Sequence, residues 1–327
     1  MPKRSLHDVE RLMLRIGIIG AARVATYAMI APARANPRTV VAAVAARDPD
    51  RARAYAAVHG IARIHDSYAA LVADPDIDLV YVATPPAFHL AHARLAIAAG
   101  KPVLVEKPFT MDASEAETLI AEAGAAGVPI FEAMHARHRR VWARIAQLLP
   151  TIGTLHHLDG VFDIAVGTAD DEFRWDAGLG GGALMDLGVY PLAWVRAVAG
   201  EPLAVTSASM RRERRADAAF AATLALPGGV TARVAADMTA PRRAALVITG
   251  SAGVIRLDNA MSQAPGQFLR VTTAAGETRH PLDGPGTFDA QLGAVVATLC
   301  DRAAFPLGMA DPLASMRAIA MVRAAAE

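Results

Sequence analysis

The sequence predicts an α/β domain built on a parallel sheet, followed by an α+β domain with a mostly antiparallel sheet. Two observations carry the first half. From Leu14 to Phe131 short apolar runs recur roughly every 20–25 residues with amphipathic helical stretches between them, the pattern of βαβ units and a parallel sheet covered on both faces. The chain has 327 residues, beyond a single domain of roughly 100–200. A third observation marks the change of class. Past Pro150 strand-like runs follow one another through turns such as Pro227-Gly228-Gly229 and Ser251-Ala252-Gly253, which suit antiparallel hairpins.

In order, strands are predicted over 14–19, 40–45, 79–83 and 103–105. Helices are predicted between them over 22–35, 50–59 (closed by Gly60) and 88–99 (ended by Gly100). Asp112 with Glu115 forms a capping box for a further helix, which Gly127 and Pro129 terminate. The second half carries strands over 155–164, 204–210, 218–226, 230–238, 245–249, 254–257 and 268–273, with helices over 184–198, 288–301 and 312–326. The expected division is a flexible extension over 1–12, a first domain over 13–133 and a second over 134–327.

Composition excludes several classes. Apolar residues make up 54% and charged residues 20%, with a net charge of +1, so the chain builds cores and is not disordered. Clustered excess base is lacking, so no nucleic-acid partner is expected. No segment holds the roughly 18 uncharged apolar residues of a membrane span. Residues 1–12 lack the apolar core of a signal peptide, and Met13 is an alternative start; a cytoplasmic location follows as an expectation. Cys300 is the only cysteine, which rules out an internal disulfide and a thiolate metal cage. No carboxylate–histidine pattern suggests a catalytic metal, and His156-His157 read as structural. Only Lys3, Lys101 and Lys107 are lysines among 33 basic residues, which draws attention to Lys101 and Lys107 as compact, titratable amines in an arginine-rich chain.

Ile16-Gly-Ile-Ile-Gly20-Ala-Ala22-Arg-Val-Ala25 sits where a first strand meets a first helix. Read as a G-x-G-x-x-G/A fingerprint, it places the tight turn at Gly20, the pyrophosphate approach at Ala22 and helix packing at Ala25. The helix start behind it offers N–H groups to phosphate. The second strand ends in Ala45-Ala46-Arg47-Asp48-Pro49, where an arginine accommodates the 2′-phosphate of NADP and an acid would hold the ribose of NAD. Arg47 points to NADP; Asp48 reads as the cap of the next helix.

With this fingerprint, the run Ala83-Thr84-Pro85-Pro-Ala-Phe-His89 and the run Lys101-Pro-Val-Leu-Val-Glu106-Lys107-Pro108, the chain resembles the Gfo/Idh/MocA oxidoreductase family. Gly180-Gly-Gly-Ala-Leu-Met-Asp186-Leu-Gly-Val-Tyr190 is similar to that family's second signature. Within it, the subgroup of dimeric dihydrodiol dehydrogenases and NADP-dependent xylose dehydrogenases is the most alike. The resemblance implies cofactor contacts at Gly20, Ala22, Arg23, Arg47, Thr84, Pro85, His89, Glu106 and Lys107. It also implies a Rossmann dinucleotide-binding domain over 13–133, a substrate-binding and oligomerisation α+β domain with an open, mostly antiparallel sheet over 134–327, and an oxidation or reduction at a hydroxyl or carbonyl carbon of a sugar, polyol or dihydrodiol. One departure stands out: His138-Arg139-Arg140 replaces the Phe-His-Pro that usually follows Arg137.

Lys107 follows a strand at the carboxyl edge, where doubly wound sheets bind ligands. Asp186 and Tyr190 are four apart on one predicted helix and so share a face. A phenol with a pKa near ~10 needs a cation to favour its anion at neutral pH. Tyr190 is therefore assigned the proton transfer, with Lys107 supplying the field and standing as its rival, and Asp186 orienting lysine or substrate. Glu106 is expected to hold the strand end. Trp175, beside Arg174 and Asp176, either lines a substrate pocket or anchors a surface loop. His135 either faces the nicotinamide or sits solvated at a helix entry. Apolar residues on both faces of 218–226 predict a symmetric homodimer or a homotetramer (a dimer of dimers) through the sheet. Two other classes remain open on the residues alone: a non-catalytic dinucleotide or sugar sensor, and a redox-type NAD-dependent glycosidase.

Overall fold

The computed structural model describes residues 13–327; the extension expected over 1–12 lies outside the described residues. The chain divides into two compact units.

The first unit comprises residues 13–110, Ser114–Met134 and Phe288–Ala310. Its sheet is wholly parallel, in the order β3-β2-β1-β4-β5-β6. The strands are β1 (Leu14–Ile19), β2 (Thr39–Ala45), β3 (Arg63–His65), β4 (Leu79–Val82), β5 (Val103–Glu106) and β6 (Ile130–Ala133). Every residue of β4, β5 and β6 is buried, as strands covered on both faces must be. β3, β6 and the helix Tyr68–Ala73 are additions to the sequence reading. Arg-Ile-His is too short and polar for an apolar run, and β3 occupies the sheet edge.

The helix over 23–35 is not regular: Thr26–Ile30 forms a π turn, and Pro32 follows. Proline has no N–H for the preceding turn, and its ring crowds the carbonyl four residues back. A widened turn relieves that conflict. Residues 288–310 correct the reading of 134–327 as one continuous second domain. Leu292, Val295 and Val296 enter the core formed by Ile16, Ile18 and Leu79. Phe305 packs on Phe131 with ring centres 4.6 Å apart, and Arg38 grips Asp301 at 2.8 and 2.9 Å.

The second unit comprises Met111–Ala113, His135–Thr287 and Asp311–Glu327. Its eight strands are β7 (Leu155–Asp163), β8 (Ala204–Glu213), β9 (Ala216–Ala225), β10 (Thr231–Asp237), β11 (Arg243–Gly250), β12 (Gly253–Asp258), β13 (Phe268–Thr273) and β14 (Gly276–Pro281). They run in the order β14-β13-β12-β11-β7-β10-β9-β8. All pairings are antiparallel except β7 with β10. The mixed α/β and α+β class read from the sequence is the class observed. β14 escaped that reading because it is an exposed edge strand with no apolar alternation.

One face of the eight-stranded sheet carries the helix Val189–Ala199, Gly160 lying directly under Pro191. The other face differs from the continuous apolar surface expected of it. The register aligns Ala221, Ala235, Val161 and Ala245 in one row across β9, β10, β7 and β11. Charged residues flank that row: Asp237, Asp163 and Arg243 on one side, Arg233 and Asp159 on the other. Arg233 meets Asp159 at 3.3 Å and Arg211 meets Asp237 at 3.1 Å. These long side chains screen the small residues, so Val161 and Ala245 are already buried.

Candidate active site

In the parallel sheet the strand order reverses between β1 and its two neighbours, β2 and β4. Ligands of doubly wound sheets bind at the carboxyl ends of the strands at such a switch point. Gly20 follows β1 there, at φ +103, and a Cβ on it would stand 3.2 Å from the carbonyl oxygen of Ala83 and 3.2 Å from the Thr84 methyl. Only glycine takes that conformation at that distance without strain. Ala22 is extended and caps the helix start with no side-chain hydrogen bond, which suits a terminus that holds phosphate through backbone N–H groups. The turn thus fits a dinucleotide.

Two residues that the sequence reading missed hold this turn. Arg51 donates to the carbonyl of Ala21 from Nε at 3.2 Å and Nη2 at 3.1 Å. The Tyr55 hydroxyl donates to the carbonyl of Ala22 at 3.0 Å, and burial pushes that phenol up. They lie one turn apart on the helix Pro49–His59, so one helix face clasps two successive carbonyls. Asp48 caps that helix as expected, accepting from Asp50 N at 2.9 Å. Arg47 is exposed just beyond the end of β2, and Arg23 is exposed in the first helical turn.

Thr84 and Pro85 are half-buried beyond β4. The Thr84 hydroxyl lies 3.0 Å from His92 Nδ1. His89 is placed otherwise than expected. It is wholly removed from solvent, with Nε2 2.7 Å from Thr84 O and Nδ1 2.9 Å from Pro108 O. It staples two loops together and offers no surface to a cofactor. The two carbonyls favour the cation, but burial outweighs them and holds the imidazole down to about 4. Glu106 is likewise buried. The Tyr81 hydroxyl donates to its Oε1 at 2.5 Å, and its Oε2 accepts from Lys107 N at 3.3 Å, so it fastens the end of β5. Lys107 is half-buried and is joined to Pro108 by a cis peptide bond.

In the second unit, the segment after Gly180-Gly-Gly182 opens as a π turn over Ala183–Gly188 and continues as the helix Val189–Ala199. Gly182, at φ +112, leaves no room for a Cβ against the Asp217 carboxylate. Asp186 and Tyr190 have different partners. The Asp186 carboxylate is 4.0 Å from Arg174, and Arg174 is held by Glu172 at 2.7 Å. Tyr190 is buried, its hydroxyl 3.2 Å from His135 Nε2, and His135 Nδ1 is 2.8 Å from the Thr287 hydroxyl. The Phe162 ring closes on Tyr190 edge to face at 5.5 Å. His135 is therefore not the solvated residue that one reading allowed.

Trp175 is an anchor. Its indole is buried and donates to Gly167 O at 2.9 Å. Arg139, in the stretch that departs from the family pattern, is a buried wall. It donates to Ala260 O at 2.8 Å and to Gln267 Oε1 at 2.8 Å, and burial lowers its guanidinium to about 10. Among the described residues no group of three His, Cys, Asp or Glu side chains gathers as a metal site, and no helix is long and apolar enough to cross a membrane.

Residues 14–134 match the Gfo/Idh/MocA oxidoreductases with an NAD-binding Rossmann fold, and residues 142–256 match the Gfo/Idh/MocA C-terminal domain. The dTDP-3,4-didehydro-2,6-dideoxy-alpha-D-glucose 3-reductase of Streptomyces antibioticus is 36% identical over 76% of each chain. The NADP-dependent D-xylose 1-dehydrogenase of Haloferax volcanii is 30% identical over 83% of this chain and 82% of its own. The crystal structure of a 3-ketoreductase from Actinomadura kijaniata with NADP and TDP-benzene superposes with a TM-score of 0.90 at 28% identity, covering 96% of this chain and 98% of that one.

Proposed function

Because this chain belongs to the Gfo/Idh/MocA oxidoreductase family, we propose that it catalyses the NADP-dependent interconversion of a hydroxyl and a carbonyl on a sugar, polyol or dihydrodiol, with Tyr190 as the proton-transfer group. The carrying observation is the buried Tyr190 phenol, on the helix behind the glycine run, with an imidazole 3.2 Å from its oxygen. Neither sensing nor glycoside cleavage finds support among the relatives described, which are reductases and dehydrogenases.

When bound, the nicotinamide accepts or supplies the hydride. Gly20, Ala22 and Arg23 would hold the pyrophosphate side, Arg47 the 2′-phosphate, and Thr84 and Pro85 the wall beyond β4. Lys107 places a positive charge on the reacting oxygen, which favours its alkoxide form. Tyr190 gives that oxygen a proton in reduction and takes one in oxidation. Asp186, set by Arg174, orients the substrate hydroxyls. We propose further that the chain works in the cytoplasm as a homodimer or homotetramer, associating through the face of the second sheet opposite the helix Val189–Ala199.

The test is a panel of keto sugars, aldoses, polyols and trans-dihydrodiols with NADP(H), followed on the best substrate by two variants. Lys107→Met and Tyr190→Phe should each lower kcat by about 10²–10⁴-fold, with NADP affinity by fluorescence within a few-fold of wild type. Near wild-type turnover in either variant removes that residue from the mechanism.

A further inference from the structure

Tyr190, His135 and Thr287 form a continuous buried chain. The phenol oxygen is 3.2 Å from His135 Nε2, and His135 Nδ1 is 2.8 Å from Thr287 Oγ1. All three residues are less than a tenth exposed. We propose that His135 and Thr287 are positioning residues that store the catalytic proton behind Tyr190, so that the phenol and the imidazole act as one acid–base unit. This rests on the assignment of Tyr190 above.

The argument lies in the donor inventory. A neutral imidazole has one N–H and one lone pair, while a hydroxyl both donates and accepts. With the proton on Nδ1, Thr287 Oγ1 accepts it and Nε2 faces the phenol as an acceptor. The Tyr190 proton is then aimed inward, and its oxygen is ready to take a proton from a substrate alcohol. With a proton on each ring nitrogen, Nδ1–H still donates to Thr287 Oγ1. Nε2–H now donates to the phenol oxygen, whose own proton points outward to a forming alkoxide. Thr287 serves both states because its oxygen accepts from Nδ1–H in each, which leaves Nε2 as the nitrogen that gains and loses the proton.

In oxidation the substrate O–H proton passes to the Tyr190 oxygen as the phenol proton passes to His135 Nε2. The imidazolium keeps its Nδ1–H on Thr287 until product leaves and the proton returns to water through Tyr190. Reduction runs the same transfers backwards.

The charged and titratable groups nearby do not duplicate this role. Arg137, on the same turn as His135, pairs with Asp311 at 3.4 Å. Arg196, on the Tyr190 helix, pairs with Asp311 at 3.0 Å and Glu201 at 2.7 Å, and Asp186 lies by Arg174 at 4.0 Å. His138 is held down to about 4 by burial and by Arg137, so it is neutral at pH 7. Asp163 follows Phe162 on β7, and alternation sends it to the opposite face of the sheet.

The experiment combines kinetics with nitrogen NMR on the full chain. His135→Gln keeps a hydrogen bond but cannot store a proton. Its kcat at pH 7 should fall about 10–100-fold and recover toward pH ~10, where a free phenol ionises, with KM and NADP affinity within about two-fold. Thr287→Val should show a smaller shift of the same pH profile, and Thr287→Ser should restore it. In the protein without cofactor, the His135 ring-nitrogen shifts should change in Tyr190→Phe. An unchanged kcat–pH profile in His135→Gln, or ring-nitrogen shifts indifferent to Tyr190→Phe, overturns the relay. Should His135→Gln fail to fold, the Thr287→Val and Thr287→Ser pair decides: a profile that matches wild type in both overturns it. Impaired Tyr190→Phe beside unaltered His135→Gln removes the relay alone, whereas an active Tyr190→Phe removes the Tyr190 assignment and the relay with it.

Discussion

The carboxylate of Asp217, on β9, accepts a hydrogen bond from the backbone N–H of Leu184 at 2.7 Å. Leu184 opens the π turn that leads to Asp186 and Tyr190, and the Asp217 side chain also fills the space where a Cβ of Gly182 would lie. One side chain of the sheet therefore sets where the site helix begins. Burial pushes this carboxyl up while the Leu184 N–H opposes it.

Removing that cap should cost what other helix caps cost. Asp217→Ala is expected to lose about 1–2 kcal/mol of stability in urea unfolding. Asp217→Asn, whose amide oxygen still accepts, should lose much less. Equal losses in the two variants would mean that charge, not the hydrogen bond, holds the turn.

His89 gives the first unit a defined acid response. Its ring takes up a proton near 6.5 when unfolded, yet in the fold burial delays this to about 4. Between those values the unfolded chain binds more protons, so stability rises with pH and is lost as pH falls through that window. The difference amounts to about 3 kcal/mol at about 1.4 kcal/mol per pKa unit. Urea unfolding of wild type and His89→Gln from pH 4 to 7 checks it: the wild-type curve should carry this extra slope, and parallel curves would contradict it.

Cofactor choice should separate two arginines. Arg47→Ala is expected to lower the NADP-over-NAD ratio of kcat/KM by about 10- to 100-fold, the worth of a charged hydrogen bond of about 1.5–3 kcal/mol. Arg51→Ala should weaken both cofactors alike, because it acts on the Ala21 carbonyl and through it on the turn. An unchanged ratio in Arg47→Ala would move the 2′-phosphate elsewhere.

At Gly20 the constraint is steric. With φ at +103 and the Ala83 carbonyl 3.2 Å from an added Cβ, Gly20→Ala should cost about 1–3 kcal/mol and weaken NADP binding measured by fluorescence. Wild-type affinity would show that the turn has room that the geometry denies.

The parts of the site legible in the sequence are those written in consecutive residues. The Gly20 turn, the Glu106-Lys107-Pro108 corner and the glycine run before Asp186 each owe their shape to local backbone. β3 and β14 were unreadable for the opposite reason: as edge strands they bury little, so no apolar period marks them. Thr287 could not be joined to His135 across 152 residues, since nothing in either neighbourhood refers to the other. Arg51 and Tyr55 were within reach, being four apart on a helix whose Asp48 cap was recognised. His89 illustrates a different limit. A histidine beside a binding motif has the same letter whether it meets the ligand or pins the loop, and only its burial tells the two apart.

The extra residue accommodated in the turn Ala183–Gly188 has a consequence for everything downstream of it. Each residue of an α-helix advances the side-chain direction by about 100°, and the widened turn absorbs one such step before Tyr190. Deleting one residue between Ala183 and Gly188 would let the turn close as an ordinary helix, while the residues beyond it, Tyr190 included, keep their direction toward His135. The widened turn thus makes the number of residues between Gly182 and Tyr190 a free variable, because it takes up a difference in count before the regular helix begins.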